Sequence, residues 1–285
     1  MIKFIKYFIQ SILIYFFFIM GKILGIKLSR KIFSLVFSKF GSFFRSNEIV
    51  KKNLEIFSSN ISDEEKNRII KKMWENYGKT FIEYMFLKKL REDKSNIIIK
   101  GEKNLLYIKK NKKPVIFVSG HFANFEMMSM EITKKNIKLA TIYRPLNNIF
   151  LNPLMEFLRK KYICNNQIKK GINGVRKAIE YLKKDYSVAL MIDQRVSEGE
   201  TINFFNKSAL TTTLPAQLSI KFDLEIVPVF VERTKDDNFI IEFFDPINNK
   251  KYKDKISLTE ALNTQLEKMI IRNPYQWIWT HKRWK

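Results

Sequence analysis

The N-terminal part of the chain carries its longest apolar run. From Tyr7 to Gly21 no residue is charged, and a helix of this length spans about 22 Å, less than the ~30 Å hydrocarbon core of a bilayer. Lysines lie on both sides and can snorkel to extend its reach. We expect residues 1–27 to form a retained membrane anchor. The alternatives are a cleaved signal peptide, which lacks a small-residue cleavage site here, and a buried core helix.

The next segment changes to helical spacing. After Leu28, apolar residues recur on one face with cations elsewhere, which is typical of an interfacial membrane helix or of a helix packed on the domain. Ser62 and Glu65 match a capping box that starts a helix reaching about Leu90. The pattern predicts that residues 28–91 form a helical, membrane-proximal part.

Beyond Arg91, short apolar runs alternate with amphipathic segments. This order predicts an α/β fold in residues 92–285, with a central, mostly parallel sheet wrapped by helices. The predicted strands are Ile97–Lys100, Pro114–Ser119, Lys138–Ile142, Ser187–Ile192, Glu225–Val231 and Phe239–Phe243. The predicted helices are Phe125–Lys135, Ile149–Lys161, Gly174–Lys184, Thr213–Phe222 and Leu258–Ile271. A loop of about twenty residues after Asp193 is long enough to suggest a function.

One strand end carries candidate chemistry. The predicted strand at Pro114–Ser119 runs into Gly120 and His121, and Glu126 follows at the start of the next helix. Active sites of α/β folds lie at the carboxyl ends of strands. A turn could bring the Glu126 carboxylate to the His121 imidazole, fixing its tautomer. Such a pair, without a protein nucleophile, suits activation of a substrate hydroxyl for attack on an acyl carbonyl.

Composition narrows the possible classes of protein and of functional site. The chain has 285 residues, one cysteine and two histidines, which argues against a disulfide framework and a multi-histidine metal site. Lys and Arg number 52 against 28 Asp and Glu, a net charge of +24. Part of this excess is typical of an AT-rich genome, and part favours an anionic partner: nucleic acid, a membrane surface or an acidic protein. Neither a nucleophile-elbow motif nor a phosphate-binding glycine loop is present.

The motifs taken in order resemble a known family. These are the His121-x4-Glu126 motif, Tyr143-Arg144-Pro145, Asp193-Gln194, the Phe204-Phe205 pair and a Trp-rich basic tail. Together they resemble the late acyltransferases of lipid A biosynthesis, the lauroyl/myristoyl acyltransferase family, over nearly the whole chain. The resemblance implies a glycerolipid-acyltransferase-like domain over residues 28–285. It also implies transfer of a fatty acyl chain from acyl carrier protein to a hydroxyl of a lipid A precursor, without metal or bound cofactor, at the cytoplasmic side of the inner membrane.

The resemblance also assigns roles. It implies that His121 is the general base and Glu126 its orienting carboxylate. Arg144 would contact a phosphate or developing negative charge, and Asp193 and Gln194 would line the same cleft. We further expect Gly120 to leave room for a substrate atom and Asn124 to cap the helix or bind substrate. The chain departs from the family at Ala123, Phe125 and Asn206, which bears on the substrate more than on the reaction.

Other functions remain open at this point. The acceptor could be another phospholipid or glycolipid, the chain could be a catalytically inactive membrane protein, or it could be a basic nucleic-acid-binding protein. Trp277, Trp279 and Trp284 interleave with cations in the tail, which fits a membrane interface, nucleic-acid stacking or core packing. We expect His281 to be structural or interfacial, because nothing in the sequence places it near His121. The apolar N-terminus favours the membrane over nucleic acid.

Overall fold

A computed structural model describes residues 2–45, 47–93 and 95–284. The helices are α1 Ile2–Phe44, α2 Asn47–Phe57, α3 Asp63–Glu83, α4 Leu87–Glu92, α5 Glu102–Asn111, α6 Glu126–Lys134, α7 Asn152–Tyr162, α8 Ile172–Leu182, α9 Leu214–Phe222 and α10 Lys255–Arg272. The strands are β1 Ile97–Lys100, β2 Ile116–Ser119, β3 Leu139–Tyr143, β4 Asn166–Lys169, β5 Ser187–Met191, β6 Glu200–Phe204, β7 Lys207–Thr211, β8 Ile226–Arg233 and β9 Phe239–Phe243.

The described strands form one large sheet and one hairpin. The order in the large sheet is β1-β9-β8-β2-β5-β3-β4, and β6 pairs with β7 separately. Every pair in the large sheet is parallel except β8 with β9. The central strand β2 is buried along its whole length, as expected where helices cover both faces. The predicted fold class, a mostly parallel sheet wrapped by helices, is confirmed.

Alternate residues of the central strands supply two apolar cores. Phe117, Val227 and Val229 pack on the face covered by α1, α6 and the end of α3. Ile116, Val118 and Ile226 pack on the other face, with α9, α10 and the C-terminal tail. This alternation follows from the two-residue period of a strand.

Helix α1 bends back on itself at Gly25. Gly25 has φ 74° and ψ 165°, a conformation that is essentially restricted to glycine. The Ser29 hydroxyl donates to the Gly21 carbonyl at 2.6 Å. The rings of Phe17 and Phe33 lie 5.8 Å apart, although a straight helix would separate these residues by about 24 Å. The two halves therefore pack against each other and on α3.

The predicted elements agree with the structure where the pattern was strong. Two strands, Ile97–Lys100 and Phe239–Phe243, have the predicted bounds, and Ser62 caps α3 by accepting from the Glu65 N–H. Helix α3 ends earlier than predicted, at Glu83, where a 3₁₀ turn follows. The loop predicted after Asp193 contains the hairpin β6–β7, and α5 and β4 were not predicted. The division at residues 27 and 91 stays a prediction.

Candidate active site

Strand register brings His121 and Asp193 together. In the parallel pair β2–β5, Ser119 lies opposite Met191, so the residues two positions further on leave the same sheet edge side by side. His121 Nδ1 lies 2.8 Å from Asp193 Oδ1, and the His121 backbone N–H donates to Asp193 Oδ2 at 2.7 Å. Asp193 is fully buried. The imidazole is thereby held with Nδ1 toward a carboxylate and Nε2 available for a proton.

The C-terminal tail completes the surroundings of Asp193. Trp277 donates its indole N–H to Asp193 Oδ2 at 2.9 Å, and Trp277 pairs through its backbone with Phe122. Burial acts to raise the pKa of Asp193, but the charge of His121 and the hydrogen bonds from it hold that pKa well below its ordinary value. The carboxylate is therefore ionised at neutral pH, which favours the Nδ1–H tautomer of His121.

Gln194 and His281 lie over the reactive side of the imidazole. The Gln194 amide nitrogen is 3.3 Å from His121 Nε2 and 2.9 Å from His281 Nε2. The two imidazole rings lie 5.8 Å apart, centroid to centroid. Burial lowers the pKa of His281 to about 4, and the charge of His121 adds to the effect. His281 lies near His121, which the sequence did not indicate, because the tail folds back over the sheet edge.

Glu126 belongs to a neighbouring cluster. Its Oε1 accepts from the Tyr84 hydroxyl at 2.6 Å and from Arg159 Nε at 2.7 Å. Arg159 also donates to the Tyr84 hydroxyl at 3.1 Å. The contact with the imidazole that we predicted for Glu126 is made by Asp193, because a parallel neighbouring strand reaches Nδ1 while the first residue of α6 faces α7. A catalytic role for Glu126 stays a prediction.

Asn124 also has a different role from the predicted helix cap. Its side-chain amide donates to Glu83 Oε2 at 2.8 Å, and the start of α6 has no side-chain cap. Glu83 is fully buried and receives Arg30 Nε at 2.6 Å and Arg233 Nη2 at 2.9 Å. Burial acts to raise the pKa of Glu83, but the two guanidinium charges keep it below its ordinary value. The cluster links α1, α3 and β8 to the turn after His121.

Gly120 and Arg144 are two further predicted site residues. A side chain at Gly120 would lie 2.8 Å from the Phe122 ring and 3.0 Å from Leu266. The space on the Cβ side of Gly120 is thus filled by the protein, and a substrate contact at Gly120 stays a prediction. Arg144 is exposed directly after β3, at the same sheet edge as His121, and its charge acts on His281.

Comparison with known proteins identifies the family. The profile described as "Bacterial lipid A biosynthesis acyltransferase" matches residues 2–285. The chain belongs to this family. The resemblance that the motifs indicated is therefore confirmed.

Named relatives of this lipid A acyltransferase family member are distant. The lipid A biosynthesis palmitoleoyltransferase of Escherichia coli is 27% identical over 248 residues, which cover 85% of this chain and 79% of that protein. The lipid A biosynthesis lauroyltransferase of the same organism is 24% identical over 249 residues, with the same coverage. The crystal structure of a 1-acyl-sn-glycerophosphate acyltransferase, PlsC, from Thermotoga maritima covers 87% of this chain and 99% of that chain, at 14% identity and a TM-score of 0.43.

Several residues of the site were missed by sequence reasoning. Arg283 is fully buried and donates to the Leu210 carbonyl at 2.9 Å and to the Thr211 hydroxyl at 2.8 Å. Trp277 and Trp279 are buried as well, so of the three interpretations of the tail, core packing is confirmed for these two. The clustering of Trp, His and Arg in the tail was a usable signal, but only tertiary contacts reveal that it borders His121.

Proposed function

We propose that this protein transfers a fatty acyl chain from acyl carrier protein to a hydroxyl group of a lipid A precursor at the inner membrane. The observation that carries this proposal is the His121–Asp193 pair at the carboxyl edge of the sheet, beside the apolar helix α1. Family membership and the names of the relatives support the lipid A acceptor. Another phospholipid or glycolipid acceptor is the second candidate.

The geometry suits direct transfer. His121 Nε2 accepts the proton of the acceptor hydroxyl while its oxygen attacks the thioester carbonyl of the acyl donor. Asp193 stabilises the imidazolium through the 2.8 Å contact at Nδ1. Collapse of the tetrahedral intermediate forms the ester and breaks the carbon–sulfur bond. The imidazolium returns its proton to the departing thiolate of the carrier, so the step needs no bound cofactor.

Helix α1 gives a lipid acceptor a route to this edge. The Tyr15 hydroxyl donates to the Phe150 carbonyl at 2.8 Å, and the Asn148 amide donates to the Tyr7 carbonyl at 2.9 Å. The loop that holds Asn148 and Phe150 follows β3, so the first half of α1 lies on the active-site side of the sheet. Many apolar side chains of α1 are exposed, among them Phe4, Ile9, Ile12, Phe16, Ile19 and Ile23. An exposed apolar surface of this size suits a bilayer.

The proposal is tested with purified protein in mixed micelles. Acyl carrier protein charged with fatty acids of several lengths is offered together with a lipid A precursor, and products are followed by mass spectrometry. We expect the acceptor to gain the mass of one acyl chain, and a folded His121→Ala protein to give no product. Full transfer by His121→Ala would contradict the mechanism. Transfer only to lysophospholipid or another glycolipid would favour the second candidate.

A further inference from the structure

The acyl transfer proposed above, on which this inference rests, requires a hydrogen-bond donor to the oxyanion, and the contacts of Gln194 point to one. The tetrahedral intermediate carries a negative oxygen that needs hydrogen-bond donors. Because His121 Nδ1 faces an ionised carboxylate, Nε2 carries the lone pair that accepts the substrate proton. Any donor to the oxyanion must therefore lie within a few ångströms of Nε2.

The Gln194 side chain has the required donor at this place. Its amide nitrogen lies over the His121 ring, 3.3 Å from Nε2 and 3.4 Å from Nδ1, and it carries two hydrogens. Both nitrogens that it faces, His121 Nε2 and His281 Nε2, can accept. One hydrogen is therefore used on His281 at 2.9 Å, and the other faces the His121 ring beside Nε2. That second hydrogen has only the two longer contacts to the His121 ring nitrogens in the absence of substrate.

His281 determines how the amide is oriented. With a pKa lowered to about 4 by burial, its imidazole is neutral at physiological pH and has one accepting ring nitrogen. The 2.9 Å contact with the Gln194 amide nitrogen assigns this acceptor to Nε2. Asp193 precedes Gln194 in the chain and is fixed by three donors, so both ends of the Gln194 side chain are held. Such fixed donors stabilise charge without reorganisation during the reaction.

We propose that Gln194 is a catalytic residue that donates a hydrogen bond to the oxyanion, and that His281 is a positioning residue that holds the Gln194 amide in place. When the acceptor hydroxyl occupies His121 Nε2, the second amide hydrogen is released from that nitrogen. It then donates to the carbonyl oxygen as that oxygen becomes negative. No bond to Gln194 forms or breaks.

The test compares Gln194→Met, which keeps the length of the side chain but has no donor, with the control Gln217→Met. Gln217 is exposed on α9 and its amide donates to Thr213 at 2.9 Å. We expect Gln194→Met to lower kcat about 10²–10³-fold, the usual effect of removing one oxyanion donor. The kcat–pH profile should keep the shape of the wild-type profile. Gln217→Met should have the kcat of the wild type.

The role of His281 is tested by a double-mutant cycle. His281→Gln keeps an acceptor and should retain most of kcat, whereas His281→Leu should lower it at least tenfold. Adding His281→Leu to Gln194→Met should then lower kcat little further, because both residues act through one hydrogen bond. Thermal unfolding of each variant shows whether it is folded, and a variant that unfolds is replaced by Gln194→Leu or His281→Met, which also lack the donor and the acceptor.

The outcomes separate the two proposals. If the wild type and Gln217→Met fail to transfer acyl groups, the proposed function is wrong. If both transfer and a folded Gln194→Met has the same kcat, the oxyanion role is overturned. If the losses in Gln194→Met and His281→Leu add fully, or if the kcat–pH profile shifts in Gln194→Met, the assigned roles of these residues are overturned.

Discussion

Asp193 accepts three hydrogen bonds through two oxygen atoms, from the His121 backbone, the His121 ring and Trp277. Glu126 sits five residues from His121 in sequence, yet its partners are Tyr84 and Arg159. Proximity in sequence predicted Glu126 as the partner of the His121 imidazole, whereas strand register makes Asp193 that partner. The two carboxylates therefore differ in what their loss should do.

We predict that Asp193→Asn loses catalysis while keeping the fold. The amide cannot stabilise the imidazolium and favours the wrong tautomer of His121, so kcat should fall about 10³–10⁴-fold. Glu126→Gln should instead lower the free energy of unfolding, because it leaves the half-buried Arg159 without its carboxylate. Steady-state kinetics and thermal unfolding of the two variants decide between these assignments. Equal kcat in Asp193→Asn and the wild type would exclude the role of Asp193.

We predict an acid-sensitive stability that comes from His281. Its folded pKa of about 4 lies below its ordinary value of 6.5, so between these values the unfolded chain binds a proton that the folded chain does not. Stability is complete above pH 6.5 and falls as pH drops toward 4. His121, Arg45 and Arg144 oppose the charge on His281, and Asp193 favours it. Lowering the pH from 7 to about 5 should therefore lower the free energy of unfolding by about 1–2 kcal/mol.

Denaturant titrations at the two pH values measure this cost. His281→Gln cannot take up the proton and should lose less stability on acidification than the wild type. Because the pKa of Asp193 is lowered, its contribution is lost only at lower pH, below this range. Identical pH dependence of wild type and His281→Gln would contradict the prediction.

At the scale of elements, α3 joins the parts of the molecule through Glu83. The Glu83 carboxylate pairs with Arg30 from α1 and Arg233 from β8, and Asn124 donates to it from the turn after His121. Thr80, one turn earlier, donates to the Ala123 carbonyl at 3.0 Å. The catalytic turn is thus held from behind by a buried charge cluster.

We predict that Glu83→Gln lowers the free energy of unfolding by about 3–5 kcal/mol, because two buried guanidinium groups lose their carboxylate. The control is Glu92→Gln. The wild-type Glu92 side chain is 66% exposed and lies 3.9 Å from Lys88, so its replacement should lower the free energy of unfolding by less than about 1 kcal/mol. Chemical denaturation of the two variants gives both values. A loss in Glu83→Gln no larger than that in Glu92→Gln would contradict the prediction.

Sequence patterns predicted the elements better than the contacts between them. Continuous apolar runs identified the sheet strands β2, β5 and β8 because burial on both faces leaves a local signature. Strand β4 was missed because it carries polar residues at the sheet edge, and the β6–β7 hairpin because it lies outside the sheet. The Asp193 contact depends on strand order, and the position of His281 on the fold of the tail, so neither has a local signature.

At the scale of the whole molecule, the bend at Gly25 determines how α1 can meet a bilayer. Straight, the 43 residues of α1 would measure about 64 Å, enough to cross the hydrocarbon core. Because α1 bends at Gly25, both of its ends lie on the same side of the apolar surface, where Lys3 and Lys39 are exposed. The net charge of +24 suits the anionic headgroups of that side.

We predict that both ends of α1 are reached from the cytoplasmic side only. In a Cys164→Ala background, Lys3→Cys and Lys39→Cys should react with a membrane-impermeant maleimide in inside-out vesicles as fast as the control Lys103→Cys, which replaces a lysine whose side chain is 79% exposed. The natural Cys164 is buried and its pKa is raised to about 11, so its removal should not disturb transfer. Labelling of Lys3→Cys from the periplasmic side would establish a spanning helix instead.

The position of Arg30 also decides how a water-soluble form of this enzyme can be designed. Deleting all of α1 would take away one of the two cations that neutralise Glu83, and with it part of the support beneath the Asn124 turn. A cut at Gly25, with the newly exposed apolar residues of α3 replaced by polar ones, keeps Arg30 in the chain. The bend thus separates the first half of the helix from the half that carries Arg30 and supports the catalytic turn.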